Sequence, residues 1–453
     1  MIQAFDHPAI VIQGGRVIDP ATCGDEVVDF AIVDGQITRD VPRGAATLDA
    51  NGLIVCPGLM DLHVHLREPG QSHKETIETG TAAAAAGGFT LVACMPNTAP
   101  ALDEPERIRW VIDRARQANY CEVAPVAAIT RSREGKELTD FAALAEAGAV
   151  AFSDDGVGIE DDAVMRRAFE RASQIGALLI QHCEFRSLSA GGVMHLGEVS
   201  RRLNLPGLDP RSEEAMIERD IDLCRRTGGR YHVAHISTAK AVEVVRRAKA
   251  DGLPVTAEVC THHLILTHEA CADGDPNTKM HPPLRTSDDV EACRRGLLDG
   301  TIDCIVTDHA PHIVEEKSAG FLKAPAGIVG LETALGLVVK AMTDPLSSPL
   351  GKGGGSAASP LRKGGYRGVA VDWPKLIAWF TTGPTGVLHR EPTRMNVGAT
   401  ANLTLINPTE AWKVVPNRFV SKGRNTPFAD WTLNGRAVAT VRERRWCRTN
   451  CGR

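Results

Sequence analysis

The segment His63-Val64-His65-Leu66-Arg67 follows the apolar run Leu53 to Met60 and carries the residue types best suited to chemistry. Because side chains alternate across a strand, positions 63, 65 and 67 are expected on one face. Two imidazoles at this spacing can hold a metal ion, and a guanidinium beside them favours an anionic ligand such as a carboxylate. The alternative is a pair of partly buried strand histidines. The choice depends on whether further ligands converge on the motif.

Further ligands occur in a regular pattern along the chain. Eight apolar runs end in polar residues: Leu53 to His65, Phe89 to Asn97, Glu122 to Thr130, Ala149 to Asp155, Ala177 to Glu184, Arg230 to Ser237, Val255 to His263 and Asp303 to His312. Helix-like segments follow them, most clearly at Lys74 to Ala86, Pro105 to Asn119, Asp161 to Ile175, Ser212 to Thr227, Thr238 to Asp251 and Ser287 to Asp299. The pattern predicts an α/β fold, a TIM-like (β/α)8 barrel. Chemistry in such barrels lies at the C-terminal strand ends, which here carry His63, His65, Asn97, Asp155, His182, His235 and Asp308.

The chain is longer than a plain barrel requires. Its 453 residues exceed the roughly 250 of a typical barrel, so an additional small domain is expected. Short alternating segments near both ends read as strands of one β-sandwich: Ala9 to Ile18, Val28 to Ile37, Ala45 to Leu48, Ala401 to Ile406 and Thr432 to Val441. We therefore expect residues 1–56 and 391–453 to form the sandwich and residues 57–390 the barrel. The basic tail Arg442 to Arg453 is expected to be a solvated end rather than a binding arm.

Composition excludes several classes of protein. A net charge of −5 and a pI near 6.3 give no reason to expect nucleic-acid or membrane binding. Most of the 12 cysteines lie in apolar runs, where reduced cysteine behaves as a small hydrophobe. The first residues do not read as a secretion signal, and no apolar run reaches 18 residues. A cytoplasmic enzyme is expected.

One segment departs from the barrel pattern. Residues 343–369 contain the near-repeat Ser348-Pro-Leu-Gly-Lys-Gly-Gly and Ser359-Pro-Leu-Arg-Lys-Gly-Gly. Composition rich in Gly, Ser and Pro buries too little apolar surface to offset the entropy of ordering. We expect a disordered surface insertion.

With these residues in view, the chain resembles the amidohydrolase superfamily and, within it, the bacterial dihydroorotase family. The matching motifs are Pro57-Gly-Leu-Met-Asp-Leu-His-Val-His-Leu-Arg-Glu-Pro-Gly70, Met95-Pro-Asn-Thr98, Phe152-Ser-Asp-Asp-Gly156, His182-Cys-Glu184, His235-Ile-Ser237, Asp308-His-Ala-Pro-His312 and Gly327-Ile-Val-Gly-Leu-Glu-Thr333. The resemblance implies a cyclic amidohydrolase that interconverts (S)-dihydroorotate and N-carbamoyl-L-aspartate in de novo pyrimidine (UMP) synthesis. Its substrate would be a small carboxylated cyclic ureide.

The resemblance also implies two zinc ions per subunit. One would bind His63, His65 and Asp308, and the other would bind His182 and His235, with a carboxylate bridging both ions. Many superfamily members use a carbamylated lysine after the fourth strand as the bridge, but this chain has no lysine between positions 136 and 240. Strand alternation cannot choose between the two aspartates of the fourth motif. Resemblance to the dihydroorotases that use aspartate selects Asp155 over Asp154.

The implied reaction is attack on the ring amide by a hydroxide that bridges the zinc ions. Coordination can lower the pKa of water to about 7. Asp308 would be both metal ligand and general acid and base. The residues that the family pattern places at the substrate are His65, Arg67, Asn97, His281, His312, Ala326 and Gly327. Open alternatives are a structural ion pair for Arg67, a turn residue for Asn97 and a loop histidine for His312.

Two of these positions depart from the family pattern. His281 stands in Lys279-Met-His-Pro-Pro-Leu-Arg285 where relatives carry asparagine, and Ala326 replaces a frequent phenylalanine before Gly327. A histidine can still donate one hydrogen bond but cannot present an amide pair. Three other histidines are kept outside the site. We expect His262 and His263 to pack around the metal ligands and His195 to lie on a surface loop.

Two rival functions remain. A hydantoinase, dihydropyrimidinase or allantoinase would share the fold, but these enzymes generally need the carbamylated lysine. A non-catalytic subunit that scaffolds aspartate carbamoyltransferase would have lost metal ligands, and every expected ligand is present. Association of an active enzyme with that transferase stays open, and a homo-oligomer is expected.

Overall fold

The structure is a computed structural model, and it describes residues 2–189, 191–344 and 371–449. Residues 345–369 of the expected insertion lie outside the described residues. The chain opens with short strands, joined mostly by tight turns. These strands, β1 to β8, are Ile2–Asp6, Ala9–Gln13, Arg16–Asp19, Gly24–Val27, Phe30–Val33, Gln36–Thr38, Ala46–Asp49 and Ile54–Pro57.

An eight-stranded parallel sheet forms the centre of the fold. Strands β9 to β18 are Leu59–Val64, Phe89–Cys94, Glu122–Ala127, Ala151–Phe152, Leu178–Gln181, Met194–His195, Gly207–Leu208, Arg230–Val233, Val255–Cys260 and Cys304–Val306. The sheet order is β18-β17-β16-β13-β12-β11-β10-β9, and a parallel bridge between Val64 and His309 joins its two edges. Each of the eight predicted runs contains one of these strands. The predicted barrel is confirmed.

Helices follow the barrel strands and cover them. Helices α1 to α13 are Ile77–Gly87, Pro105–Ala118, Phe141–Glu146, Asp162–Gln174, Arg186–Ser189, Glu198–Arg202, Arg211–Thr227, Ala239–Ala250, Ser287–Asp299, Val314–Lys317, Ala334–Thr343, Trp373–Trp379 and Thr382–Leu388. Further 3₁₀ turns are Arg131–Arg133, Thr261–Leu264, His268–Cys271, Pro276–Thr278 and Pro416–Arg418.

Local chemistry sets the ends of several of these helices. The Thr76 side chain accepts a hydrogen bond from the Thr79 backbone N–H at the start of α1. Gly88, with φ of 98°, ends the helix in a left-handed conformation that favours glycine.

None of the helices in the described residues combines the length and apolar character needed to span a membrane.

Two further sheets are built from the chain ends, one from strands of both ends and the other from N-terminal strands alone. The C-terminal strands β19 to β21 are Asn402–Lys413, Thr432–Arg442 and Arg445–Thr449. One sheet has the order β1-β21-β20-β19-β8-β3-β4 and the other β6-β5-β2-β7. Buried side chains from both sheets, such as Ile12, Phe30, Leu403 and Val441, form one apolar cluster. The expected small β-structure built from both termini is confirmed, as two sheets that share this cluster.

Three expectations need correction. The predicted first barrel strand is split, because Ile54–Pro57 pairs with β3 and β19 in the terminal sheet and only Leu59–Val64 enters the barrel. The basic tail is not simply a solvated end, since Arg445–Thr449 pairs with β1 and β20. Trp446 in this strand is only 2% exposed. Burial of its large apolar side chain favours the folded position of the strand although its neighbours are basic. His195 is buried on β14 rather than exposed on a surface loop.

Replacing Trp446 by alanine tests the role of this last strand. The change leaves a cavity in the cluster between the terminal sheets, so we expect the free energy of unfolding to fall by about 3–5 kcal/mol. Trp110→Ala is the matched control because Trp110 is 40% exposed, and a surface substitution usually changes the free energy of unfolding by no more than about 0.5 kcal/mol. Chemical unfolding followed by tryptophan fluorescence and circular dichroism measures both. Equal losses in the two variants would contradict the buried position of the strand.

Candidate metal centre and substrate cavity

Asp155 lies among four histidines at the C-terminal ends of the barrel strands. Asp155 Oδ1 is 3.4 Å from His63 Nε2 and 3.7 Å from His182 Nδ1. The same oxygen is 3.8 Å from His235 Nε2, and Asp155 Oδ2 is 3.7 Å from His65 Nε2. Burial alone would raise the pKa of Asp155, but the charge of His63 and the nearby His182 and His235 imidazoles hold it well below its ordinary value. The carboxylate is therefore ionised.

Asp308 approaches the same cluster from the loop after β18. Its Oδ1 is 2.9 Å from His65 Nε2 and 3.8 Å from His63 Nε2. Burial acts to raise the pKa of Asp308, whereas the hydrogen bond from His65 and the charge of His63 lower it below the usual range. All six predicted metal ligands thus come together, and each is at most 8% exposed.

The donor set fits a metal ion. His63, His65 and Asp308 form one group whose ligand atoms lie within 4.8 Å of one another, and His63, Asp155 and His235 form another. His63 Nε2 is buried and has no hydrogen-bond partner among the described residues, while His63 Nδ1 donates to Glu258 Oε1 over 2.6 Å. One ring nitrogen held by a carboxylate and the other left open is the usual arrangement of a metal-binding histidine. Imidazole and carboxylate donors suit zinc.

The two neighbouring aspartates of the fourth strand have different surroundings. Asp154 Oδ1 accepts hydrogen bonds from the backbone N–H groups of Ile129 and Thr130, at 2.9 Å and 3.0 Å. The Thr130 hydroxyl also donates to Asp154 Oδ2. Asp154 is therefore hydrogen-bonded to the loop after β11, whereas Asp155 faces the histidines.

Glu258 on β17 contacts the predicted metal ligands, and the sequence alone did not indicate it. Besides His63, its carboxylate accepts from His232 Nε2 at 3.1 Å and from the His235 backbone N–H at 3.3 Å. Burial would raise the pKa of Glu258, but the charge of His63 and the hydrogen bonds from His232 and His63 lower it to about 2. An acidic residue inside the otherwise apolar run Val255–Cys260 was the signal that could have revealed it.

The turns after the strands hold three site residues in left-handed backbone conformations. Arg67, His235 and Asp308 have φ values of 63°, 32° and 48°. Such values are uncommon for residues other than glycine and cluster at functional sites. Strand β9 ends at Val64, so the expected strict alternation through position 67 does not hold. Arg67 reaches the site through its turn instead.

The predicted substrate residues line one cavity of about 160 Å³. Its walls are His65, Arg67, Asn97, Asp155, His182, His235, His281, Asp308, Ala310, His312, Ala326 and Gly327. Ligand pockets for drug-sized molecules measure about 300–1,000 Å³, so this cavity suits a smaller molecule. His63 lies behind the cavity wall and not in its lining.

Arg67 gives the cavity a buried positive charge. Its Nη2 is 3.3 Å from His312 Nε2, and its Nε donates to the Pro311 carbonyl over 3.2 Å. Burial lowers the pKa of Arg67, and Asp308 and Asp155 counteract that effect. Burial and then the charge of Arg67 lower the pKa of His312 to about 3, so His312 is neutral near pH 7. Of these two lining residues, Arg67 rather than His312 carries the positive charge that attracts an anion.

Asn97 connects the metal ligands. His65 Nδ1 donates to Asn97 Oδ1 over 2.8 Å, and Asn97 Nδ2 donates to Asp155 Oδ2 over 3.0 Å. An amide nitrogen carries two hydrogens, so one donor remains for a ligand.

His281 lies beside His182 and contacts a second residue that sequence reasoning left without a role. The two imidazole rings stack with centroids 4.7 Å apart and an angle of 5° between their planes. His281 Nε2 donates to Glu184 Oε2 over 2.8 Å. His182, Glu184 and His281 form a further group that could hold an ion. Glu184 was visible in the motif with His182, but nothing in the sequence assigned it a partner.

His262 and His263 are buried behind the site. Their ring centroids are 4.5 Å apart, and His263 Nε2 donates to the Pro282 carbonyl over 3.1 Å. With Cys260 they form another group of potential ligands. Their assignment as packing residues stays a prediction.

The fold and the histidine–carboxylate cluster together define a barrel of the amidohydrolase class. The L-hydantoinase (dihydropyrimidinase) of Arthrobacter aurescens superposes with a TM-score of 0.80 and 21% identity, over 96% of this chain and 94% of that one. A dihydropyrimidinase from Brevibacillus agri NCHU1002 gives a TM-score of 0.77 and 20% identity over the same shares. At this identity the similarity concerns the fold alone.

Sequence comparison is more specific. Residues 52–241 match the family described as dihydro-orotase-like. A dihydroorotase of Pelotomaculum thermopropionicum is 47% identical over 436 residues, which cover 95% of this chain and 96% of that protein. A dihydroorotase of Syntrophus aciditrophicus is 42% identical over 438 residues, covering 95% and 97%. The chain belongs to the dihydroorotase family.

Replacing Glu258 by glutamine tests its support of His63. The variant loses the negative charge that orients the imidazole, so we expect metal affinity to fall about 10- to 100-fold. Competition with a chromophoric chelator measures the affinity. Glu106→Gln, at a carboxylate side chain that is 76% exposed, is the control. A folded Glu258→Gln protein with unchanged affinity would contradict this role.

Proposed function

We propose that this protein is a dihydroorotase that interconverts (S)-dihydroorotate and N-carbamoyl-L-aspartate in pyrimidine biosynthesis. Relatives named dihydroorotase at 41–47% identity over about 95% of the chain support the assignment. The single structural observation that carries it is the buried Arg67 in the wall of a small cavity that also contains the ligand cluster. A carboxylated cyclic ureide combines the anion that Arg67 would bind with an amide bond for hydrolysis.

Two zinc ions are proposed to occupy the cluster. His63, His65 and Asp308 would hold one ion and His182 and His235 the other, with Asp155 as the shared ligand. The central position of Asp155 supports this role, as does the engagement of Asp154 by Thr130. When bound, the ions make water a strong nucleophile at neutral pH and polarise the scissile carbonyl.

The cavity residues orient the substrate in this proposal. Arg67 binds the ring carboxylate in bidentate fashion, and Asn97 and His312 complete its contacts. His65, His281, Ala326 and Gly327 line the remaining wall. Because the cavity is small and its polar groups are held by neighbouring hydrogen bonds, the ring is fixed with its amide at the metal ligands.

Asp308 is proposed to move the proton. Its carboxylate is ionised at neutral pH and can therefore accept a proton from the attacking water. The water oxygen adds to the ring carbonyl carbon, and the carbon–nitrogen bond of the amide then breaks. Asp308 returns the proton to the departing nitrogen, which restores the carboxylate.

Three finer assignments accompany this proposal. They are action in the cytoplasm, assembly of identical chains, and association with aspartate carbamoyltransferase. Gel filtration of the two proteins separately and together, with activity assayed in every fraction, tests the last two.

Asp308→Asn tests the proton transfer. An amide can still ligate weakly but cannot accept the proton, so we expect turnover to fall at least about 10²- to 10⁴-fold. Much of the zinc should be retained. Assay of dihydroorotate hydrolysis with parallel metal analysis measures both quantities, and Asp288→Asn on the exposed start of α9 is the control. Substantial turnover by the Asp308 variant would assign the proton transfer elsewhere.

Arg67→Ala tests the substrate class. Loss of the charged hydrogen bonds to the carboxylate costs about 1.5–3 kcal/mol, so KM for dihydroorotate should rise about 10- to 150-fold. Arg109→Ala, at a half-exposed arginine of α2, is the control. The wild-type protein is assayed on dihydroorotate, hydantoin and allantoin in parallel. Turnover of an uncharged ring alone, or an unchanged KM in the Arg67 variant, would refute the proposed substrate.

A further inference from the structure

Residues 420–425, here called the strap, connect the terminal sheets to the mouth of the barrel. The strap lies between β19 and β20 in the chain. Glu332 Oε1 accepts hydrogen bonds from the backbone N–H groups of Val420 and Ser421 at 2.8 Å and 3.1 Å. The Ser421 hydroxyl donates to the buried Glu75 carboxylate over 2.5 Å. Two barrel carboxylates therefore fix where the strap crosses the barrel.

Asn425, at the end of the strap, uses its side chain fully. Asn425 Nδ2 donates to the Ala310 carbonyl over 3.0 Å and to the Gly327 carbonyl over 3.1 Å. Asn425 Oδ1 accepts from the His312 backbone N–H at 3.1 Å. Its backbone carbonyl accepts from the Val329 N–H at 2.9 Å. The residue is 4% exposed, so these partners replace water almost completely.

All three side-chain partners of Asn425 line the substrate cavity, whereas Asn425 itself does not. Ala310 and His312 belong to the loop after β18, and Gly327 belongs to a separate loop. A planar amide offers two donors and one acceptor in fixed directions, so this one group can set the spacing of both loops. A carboxylate of the same shape offers no donor and would face two carbonyl oxygens.

The contact between these loops leaves little room for displacement. A Cβ on Gly327, whose φ is 111°, would lie only 2.6 Å from the Ala310 Cβ. Lys317 Nζ also donates to the Gly327 carbonyl, over 3.1 Å, and to the Pro325 carbonyl, over 2.9 Å. On the other loop, His312 Nε2 is 3.3 Å from Arg67 Nη2. A shift of either loop would therefore reach the groups proposed to contact the substrate.

We propose that Asn425 is a positioning residue for substrate binding, acting through Ala310, His312 and Gly327. The inference rests on the proposed function for the identity of the substrate. In the described part of the chain, Asn425 forms no hydrogen bond with any of the six predicted metal ligands. Its replacement should therefore affect the substrate side of the cavity and leave metal binding unchanged.

The test compares Asn425→Asp with Asn417→Asp in the zinc-loaded full-length protein. Asn417 is exposed eight residues earlier in the same connection, so the control makes the same chemical change without the contacts. We expect KM for dihydroorotate to rise at least tenfold in Asn425→Asp, with zinc content and the far-ultraviolet circular dichroism spectrum as in wild type. Asn417→Asp should match wild type.

Lys317→Met provides a second test if Asn425→Asp does not fold. It removes the other donor to the Gly327 carbonyl and should raise KM in the same direction by a smaller factor. Unchanged KM in a folded Asn425→Asp protein would overturn the proposal. Lower thermal stability with unchanged KM would likewise assign Asn425 a purely structural role. Failure of the wild-type protein to turn over dihydroorotate would refute the proposed function instead, and the variants would then be compared on whichever ring substrate is hydrolysed.

Discussion

The burial of the Asp155 carboxylate among four imidazoles is the interaction on which the site depends. A buried carboxylate without these imidazoles would lose its hydration and gain no opposite charge in return, which costs free energy. The four histidines lie at the ends of three strands, β9, β13 and β16, so the cluster forms only when these parallel strands are in register. The pairing of the Asp155 charge with these imidazoles therefore requires that the barrel strands be correctly aligned.

A second layer of carboxylates holds the histidines in place. Glu258 binds His63 and His232 at the centre of the sheet, and Asp61 accepts the His63 backbone N–H over 3.0 Å. Asp61 also accepts the Thr307 hydroxyl over 2.6 Å, next to Asp308. Burial raises the pKa of Asp61 to about 7, and the hydrogen bond from Thr307 limits the rise. The Glu258 contact sets the orientation of the His63 ring and leaves its Nε2 free to bind a metal ion.

The terminal sheets contribute more than a covering for the barrel. Their connection between β19 and β20 returns to the barrel mouth, where Glu75 and Glu332 receive its backbone N–H groups. Burial raises the pKa of Glu332 to about 7, and the hydrogen bonds from Val420 and Ser421 act against that rise. Two parts of the chain that are distant in sequence thus meet behind residues that line the cavity, since Asn425 holds Ala310, His312 and Gly327.

The sequence by itself determined the barrel through the periodicity of its strands and the family through its motifs, because both are local properties of the chain. The same motifs predicted the six histidine and aspartate ligands, as part of what the resemblance implies. The choice of Asp155 over Asp154 rested on resemblance, since alternation cannot distinguish neighbours at a strand end, and the Thr130 contacts of Asp154 appear only in three dimensions. Glu258, Glu184 and Asn425 could not be assigned for the same reason: their partners are far away in sequence. Tertiary structure also decided that Trp446 and His195 are buried, because strand pairing and packing overrode the basic and polar character of their neighbours.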